Sequence, residues 1–571
     1  MRDAEAGDGA VAVVARRPRE FVVWGLLVAL FVGARVWRLD ASCLWFDEVF
    51  SVHAARHEWG ALFKFVALDL VHPPLYYLLL KGWLALVGDG AAAVWWLRLS
   101  TVLTATAGVV PFLLLCRELR VRDGAARLAL LLWAVNGYLI QHGQQLRMYS
   151  LLLLFAFGSL WLFARFSDPG REVRRRDALW LFIVNLLLVY THYFGWLLVG
   201  LEAFYLVIRQ RRKLKAFAVV LCALGACFSP WAVMVLGAAS EGTGLAQNIG
   251  WAARPHLSDI LQPFLLLHEP FRFRRNTFEP IVLRVNVWLA VALFVPAFVT
   301  LGWRALRQRR RASVPTLEDD TARETARGDT WGKFSGAVAG EGSALTFLLF
   351  FSLLPVVVAF VLSRVLPQSI WGLRHLIIIA PAYLLLAASA LVSLRPLWLA
   401  TTIKLLLACW LTLAAMLWLV RRDAPPIWCA WETLARRVVE SDAPAIGAAG
   451  GGGTSAVKVY AAEELVAYHL WYGMSAVGDE RFRVAVVKNL PGLSEDKAFF
   501  LPRGFYEVEV ADASAALREE HFWVAFRDTT WNAEHPLLRL LSERGYETEP
   551  PFEITASGQK AFVVSARRRA R

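Results

Sequence analysis

This sequence has little charge for its length. Asp, Glu, Lys and Arg make up only 19% of the 571 residues, against 57% hydrophobic ones. A soluble domain of that size cannot cover itself with so few polar groups, which excludes an ordinary cytosolic enzyme and a disordered chain alike. The charge that exists is unbalanced, with 61 basic and 47 acidic residues, yet no DNA- or RNA-binding motif accompanies it. Because the basic residues are scattered over loops, they indicate contact with membrane lipids and not nucleic acid. The first apolar run is expected to be a retained span and not a cleavable signal, because it is long and the "RLDASC" that follows offers neither an A-x-A site nor a lipobox before Cys43. Internal repeats and metal-ligand spacings are equally absent, and no cofactor or metal is expected.

What is present is a series of apolar runs of about 15 to 25 residues from Phe21 to about Val420, followed by mixed polar and apolar texture. The expected architecture is a polytopic α-helical membrane domain over 1–420 and a C-terminal α/β domain over 421–571. Basic clusters at Arg16 to Arg19, Arg117 to Arg127, Arg165 to Arg176, Arg209 to Lys215 and Arg304 to Lys333 mark the loops that stay inside. "PLYYLLLKGWLALVG", residues 74–88, is about 15 residues long and contains Lys81, so an interfacial or re-entrant helix fits it better than a span. About eleven spans then remain, starting near residues 20, 94, 125, 148, 178, 194, 216, 284, 344, 374 and 397. An odd number places the N-terminus inside and the C-terminal domain outside.

That topology collects Asp47, Glu48, His53, His72, His142, Gln144, Arg147, Tyr149, Thr191, His192, Tyr193, Gln247, Asn248, Arg374 and His375 at or near the outer ends of spans. Two readings stay open: a shared outward-facing cavity, or the interfacial Tyr, His and Arg that border many membrane proteins. Helical patterning at Trp431 to Glu440, Glu463 to Tyr472 and Leu537 to Gly545 alternates with strand-like "AVKVYA", "RVAVV", "FYEVEV", "FWVAF" and "KAFVVSA" in the C-terminal region. "GAAGGGGTSA", residues 447–456, lacks the Gly-Lys-Ser/Thr ending of a phosphate loop and reads as a connecting loop. Of six cysteines, Cys116, Cys222, Cys227 and Cys409 fall in or at the ends of apolar runs. Cys43 and Cys429 lie outside them, and either bridge the first outer loop to the C-terminal domain or remain separate thiols.

Five segments, in order, resemble the GT-C class of polyprenyl-phosphate-sugar-dependent glycosyltransferases, specifically bacterial glycosyltransferase family 39 and its protein mannosyltransferase and aminoarabinose transferase relatives. "LWFDEVFS" is similar to the family's acidic first loop and "HPPLYYLLL" to its His-Pro-Pro segment, which lies along the membrane surface. "QHGQQLRMYSLLL" is similar to its Gln-x-x-Arg-Met-Tyr turn, "YTHYFGWLL" to its Thr-His-Tyr span end, and "GLRHLIIIAPAYLLLA" to a later Arg-Tyr-Leu segment, with His375 in the Tyr position. The resemblance covers about residues 20–420. It implies sugar transfer from a polyprenyl-phosphate-linked donor to a hydroxyl-bearing lipid, glycan or protein acceptor, on the extracytoplasmic face of the bacterial inner membrane.

A lipid phosphate leaves as a stable anion, so the chemistry needs a base for the acceptor hydroxyl and cations for the phosphate. The resemblance makes Asp47 that base and gives Glu48 a role in placing the acceptor or the sugar. The competing reading of the pair is a helix start whose acids complement the dipole. Arg147, Arg374 and His375 would hold the phosphate, against a reading as snorkelling side chains. His72, Gln144, Tyr149, His192 and Tyr193 complete the substrate-binding set. One departure stands out: relatives carry Glu where this chain has Gln145, which shifts the acid–base burden onto the first loop. Two rivals of different function remain, a secondary transporter and an O-antigen-ligase-like glycan transferase.

Overall fold

The computed structural model describes all residues except 1–3, 89–92, 241–251, 272–279, 313–330, 421–424, 443–455, 494–499, 515 and 570–571. Gln247, Asn248 and nearly all of the glycine-rich stretch therefore lie outside the described residues. The chain divides into two compact units. One comprises Met1–Trp37, Leu99–Pro230 and Ala252–Arg421, and the other Arg38–Arg98, Trp231–Trp251 and Arg422–Arg571. The chain enters the second unit for the last time at Arg422. Sequence texture gave no sign that Arg38–Arg98 packs with the C-terminal part.

Among the described residues, seven helices are long and apolar enough to cross a membrane: Val94–Glu118, Tyr149–Ser167, Arg211–Ser240, Arg284–Arg307, Gly342–Val365, His375–Val392 and Leu397–Val420. The other four expected spans fall on helices too, Ala4–Val36, Asp123–Val135, Arg175–Thr191 and Phe194–Arg209. The last three have only 13, 17 and 16 residues, and at 1.5 Å per residue the shortest reaches about 20 Å of a ~30 Å hydrocarbon layer. Length and composition thus support seven spans where the sequence reading expected about eleven. The chain is a multi-pass membrane protein.

Inside the first unit, Tyr149–Ser167 and His375–Val392 form the centre, with 78% and 83% of their apolar windows buried. Phe31, Phe112, Trp133 and Phe157 fill the space beside them with ring centroids 4.7 to 5.7 Å apart. Leu397–Val420 and Arg284–Arg307 bury only 22% and expose Trp288, Val295, Leu405 and Leu413, faces that suit acyl chains and not water. A polar knot ties three of the helices together: Glu202 accepts from Ser159 Oγ at 2.6 Å and from Asn185 Nδ2 at 2.7 Å.

The second unit combines short helices from the first loop, Phe46–Arg56, Trp59–Asp69 and Leu75–Val87, with a mixed sheet. At 13 residues, Leu75–Val87 is too short to span, in keeping with the surface helix expected there. The strands are β1 (Val457–Ala461), β2 (Phe482–Lys488), β3 (Glu509–Asp512), β4 (His521–Asp528), β5 (Tyr546–Thr548), β6 (Phe552–Ala556) and β7 (Gln559–Arg568). Their order is β3-β2-β1-β4-β7-β5, with β6 also on β7. β1 to β4 run parallel and β7 antiparallel to its neighbours. β1, β2, β4 and β7 and all three helices match the sequence reading. "FYEVEV" forms a strand only from Glu509, and β5 and β6 went unseen because three and five residues carry little alternation.

Cys43 and Cys429 are disulfide-bonded, with Cα atoms 5.4 Å apart and a sequence separation of 386. The bridge fastens the loop before Phe46–Arg56 to the start of helix Cys429–Asp442. Cys429→Ser should lower the thermal midpoint, since removing a native disulfide typically costs about 2–5 kcal/mol. Non-reduced peptide mapping should recover the two cysteines in one species, and recovery of both as alkylated free thiols from fresh membranes would contradict the pairing.

Candidate functional site

The two acids of the first loop have different surroundings. Glu48 is buried at 1% exposure and accepts the Trp45 N–H at 2.8 Å, so its carboxylate caps the first turn of the helix. Its carboxylate also takes a fork from Arg98: Nε to Oε1 at 2.9 Å and Nη2 to Oε2 at 2.8 Å. The same guanidinium donates to the carbonyls of Leu39, Ser42 and Cys43 at 2.8 to 2.9 Å. Arg98 is the post around which residues 39–48 wrap, and Glu48 holds the loop to it. For Glu48, the helix-start reading of the acidic pair therefore describes its observed contacts. Asp47 stands about 100° further round the helix and is half-buried.

The acidic helix Phe46–Arg56 packs on helix Glu464–Val477. The Tyr468 hydroxyl and His53 Nδ1 are hydrogen-bonded at 3.1 Å, inside a ring of Phe65, Trp471 and Phe505 with centroids 4.8 to 5.0 Å from His53. Burial, helped by nearby His57 and Arg56, pushes the His53 imidazole down to about 3. Burial alone does the same to His469, also to about 3. Both rings are neutral in the folded state, so the unfolded chain takes up protons below about pH 6.5 and the folded chain does not. Stability is then full above pH 6.5 and falls as the pH drops towards 3, by up to about 1.4 kcal/mol per pH unit and histidine. Thermal unfolding measured from pH 7.5 to 5 should show this decline, and His469→Leu should flatten it; an unchanged slope would contradict the assignment.

His72 lies just past helix Trp59–Asp69, which ends on Leu70 in the left-handed region at φ 61°. This turn brings His72 Nδ1 to 3.0 Å from the Asp69 carboxylate. Asp69 was not singled out in the sequence; a short Asp-x-x-His spacing was its only signal.

The first unit assembles most of the remaining candidates. Asn136 starts the helix Gly137–Gln144: its Oδ1 accepts the Leu139 N–H at 2.9 Å and its amide donates to the carbonyls of Leu266 and Glu269. Gln144, at the other end, donates from one amide nitrogen to the carbonyls of Arg35 and Trp37 at 3.0 and 2.9 Å. It thereby satisfies orphan carbonyls where the first long helix ends. Gly143 is required there, because a Cβ would sit 2.8 Å from Arg35 Nε, on a side chain pinned to the carbonyls of Phe31 and Trp133. Arg147, 2% exposed, follows in the turn into Tyr149–Ser167.

A row of rings continues from this turn. His142 and Tyr149 are 4.7 Å apart, Tyr149 and His192 6.4 Å, and His192 and His375 4.9 Å. Gly372 makes room for the last of these, since a Cβ would meet His375 Nδ1 at 2.5 Å. Arg374 adjoins His375, and the backbone is fastened by the Tyr138 hydroxyl donating to the Leu373 carbonyl at 2.7 Å. Tyr193 flanks His192, half-buried and 6.4 Å from Phe228. Of the expected set, His142, Tyr149, His192 and His375 form one contiguous row. Arg147, Tyr193 and Arg374 are its sequence neighbours, and Gln144 caps backbone.

The opposite ends of the same helices carry the basic loops. There Arg165 pairs with Asp177 at 3.1 Å and Arg171 with Glu118 at 2.7 Å. Lys213 donates to the carbonyls of Phe166, Asp168 and Arg171 at 2.6 to 2.9 Å. No cluster of three or more His, Cys, Asp or Glu able to hold a metal occurs among the described residues.

Helices packed around two buried central spans, a His-, Tyr- and Arg-rich end, and a mixed-sheet C-terminal domain define a multi-pass membrane protein of the GT-C fold. The chain is similar in structure to ArnT from Cupriavidus metallidurans in the apo state, with a TM-score of 0.55 and 14% identity over 96% of this chain and 98% of that one. The archaeal oligosaccharyltransferase AglB from Archaeoglobus fulgidus, in complex with an inhibitory peptide and a dolichol-phosphate, matches at a TM-score of 0.40 and 13% identity over 80% of this chain and 64% of its own. The apo form of the Archaeoglobus fulgidus oligosaccharyltransferase gives 0.44 and 13% over 80% and 63%. No protein-family profile matches the sequence, and no curated protein does. At such identities the likeness is one of fold, and it rests on ArnT.

Proposed function

We propose that this protein is a glycosyltransferase that moves a sugar from a polyprenyl-phosphate-linked donor to a hydroxyl of an acceptor on the extracytoplasmic face of the bacterial inner membrane. The observation that carries this reading is the ArnT-like fold over nearly the whole of both chains. The order of the acidic, His-Pro-Pro, Arg-Met-Tyr, Thr-His-Tyr and Arg-His motifs along the sequence supports it.

In this reading Asp47 accepts the proton of the acceptor hydroxyl as its oxygen attacks the anomeric carbon. The bond from that carbon to the phosphate oxygen breaks, and its electron pair leaves with polyprenyl phosphate. No acid is needed at the leaving group, which suits a first loop whose second carboxylate is already bound to Arg98. Arg147 and Arg374 offer forked donors to the phosphate, and Tyr149, His192 and His375 add further donors as the leaving group gains charge. His72, oriented by Asp69, and Tyr193 contact the sugar or the acceptor. Glu48 and Gln144 act through the backbone they hold.

The test is to give proteoliposomes polyprenyl-phosphate sugars labelled in the sugar, together with a membrane extract as acceptor source. Label should pass from the lipid donor into a new covalent product. Label crossing the bilayer unreacted would instead identify a transporter, and label staying on the donor with every sugar supplied would overturn the proposal.

A further inference from the structure

Away from the polar row, at the basic ends of the helices, an open groove of about 730 Å³ is lined by Val299, Thr300, Trp303, Arg304, Leu306, Arg307 and Arg395. Two elements build it: the last turns of helix Pro280–Ala312, and the turn that precedes helix Leu397–Val420. Its lining is amphipathic along its length. Val299, more than a turn before Arg304 on the side towards the apolar span, is 65% exposed, and Gly302 contributes no side chain, with open space where its Cβ would be. The lip carries three arginines. Arg307 lies over the Trp303 ring at 4.9 Å, and among the described residues none of the three has a carboxylate partner.

Three like charges around one concavity repel each other and are stabilised by an anion. An indole at the same level and an aliphatic wall below are what a molecule with a charged head and an acyl chain requires. We propose that this groove binds an anionic phospholipid, its phosphate against Arg304, Arg307 and Arg395 and an acyl chain running past Val299 towards the apolar span. Such a lipid would fasten two neighbouring span ends on the face opposite the polar row. The inference is independent of the proposed sugar transfer.

The experiment uses the purified full chain in nanodiscs and counts retained lipid by native mass spectrometry as phosphatidylglycerol replaces phosphatidylcholine. Wild type should retain one phosphatidylglycerol that the triple variant Arg304→Gln, Arg307→Gln, Arg395→Gln binds roughly 100-fold more weakly. The matched variant Arg209→Gln, Arg211→Gln, Arg212→Gln should retain it as wild type does. Thermal stability of the triple variant in pure phosphatidylcholine should equal that of wild type, which separates lost lipid from lost fold. Soluble glycerol phosphate should not displace the lipid, because it lacks the chain. Equal retention by wild type and triple variant overturns the proposal. Displacement by glycerol phosphate, or equal retention of phosphatidylcholine, overturns it as well.

Discussion

Asp47→Asn should abolish transfer, lowering kcat by about 100- to 10,000-fold, while leaving thermal stability and donor binding near wild type. The amide keeps the shape of the carboxylate and loses its basicity. Asp47 is half-buried in the first turn of Phe46–Arg56, where a negative charge gains a few tenths to about 1 kcal/mol from the helix dipole. The readouts are single-turnover release of polyprenyl phosphate and a thermal melt of the same sample. An active Asp47→Asn protein would remove the base from the proposal. Gln145→Glu is the companion variant. Gln145 is half-exposed at the end of helix Gly137–Gln144, so an acid there should be tolerated.

Arg98→Ala should have the largest effect on stability, because it leaves the Glu48 carboxylate buried without its forked partner and releases the carbonyls of Leu39, Ser42 and Cys43. Breaking a buried pair from one side costs about 3–5 kcal/mol. Replacing both partners, as in Glu48→Gln with Arg98→Met, should recover part of that loss, since no uncompensated charge remains. Arg98→Lys keeps the charge but cannot fork, and should fall between wild type and alanine. Thermal melts of the four proteins check the order. An Arg98→Ala midpoint equal to wild type would show that the pair does not hold the loop.

These two variants mark where the sequence was legible. Apolar runs between Phe21 and Val420, and the change of texture after them, made the membrane domain and the C-terminal α/β domain readable, because burial in lipid and burial in a sheet leave different periodicities. Ordered motifs led to the fold seen in ArnT. Contacts across long stretches of chain were not readable. Arg98 looks like one more basic residue in an apolar helix until its six bonds to residues 39–48 are seen, and nothing local distinguishes Glu48 from Asp47. Gln144 has the composition of a ligand residue and the geometry of a cap. The span count exceeded what length and composition support because Asp123–Val135, Arg175–Thr191 and Phe194–Arg209 are apolar enough to look like spans while falling short in length, and because Ala4–Val36, though long, has its apolar stretch closed in by Arg19, Glu20 and Arg35. The Cys43–Cys429 pair was legible as one of two possibilities, since elimination of the cysteines in apolar runs left only those two.

The measurement closest to the central claim follows phosphorus. Purified protein is mixed with a polyprenyl-phosphate sugar and acceptor extract, and the donor phosphate is observed by ³¹P NMR. The account predicts that the phosphodiester signal of the donor converts to the phosphomonoester of polyprenyl phosphate, in step with glycosylated product and not with Asp47→Asn. A phosphodiester that persists across a panel of lipid-linked sugars, or one that converts equally well with Asp47→Asn, would contradict it.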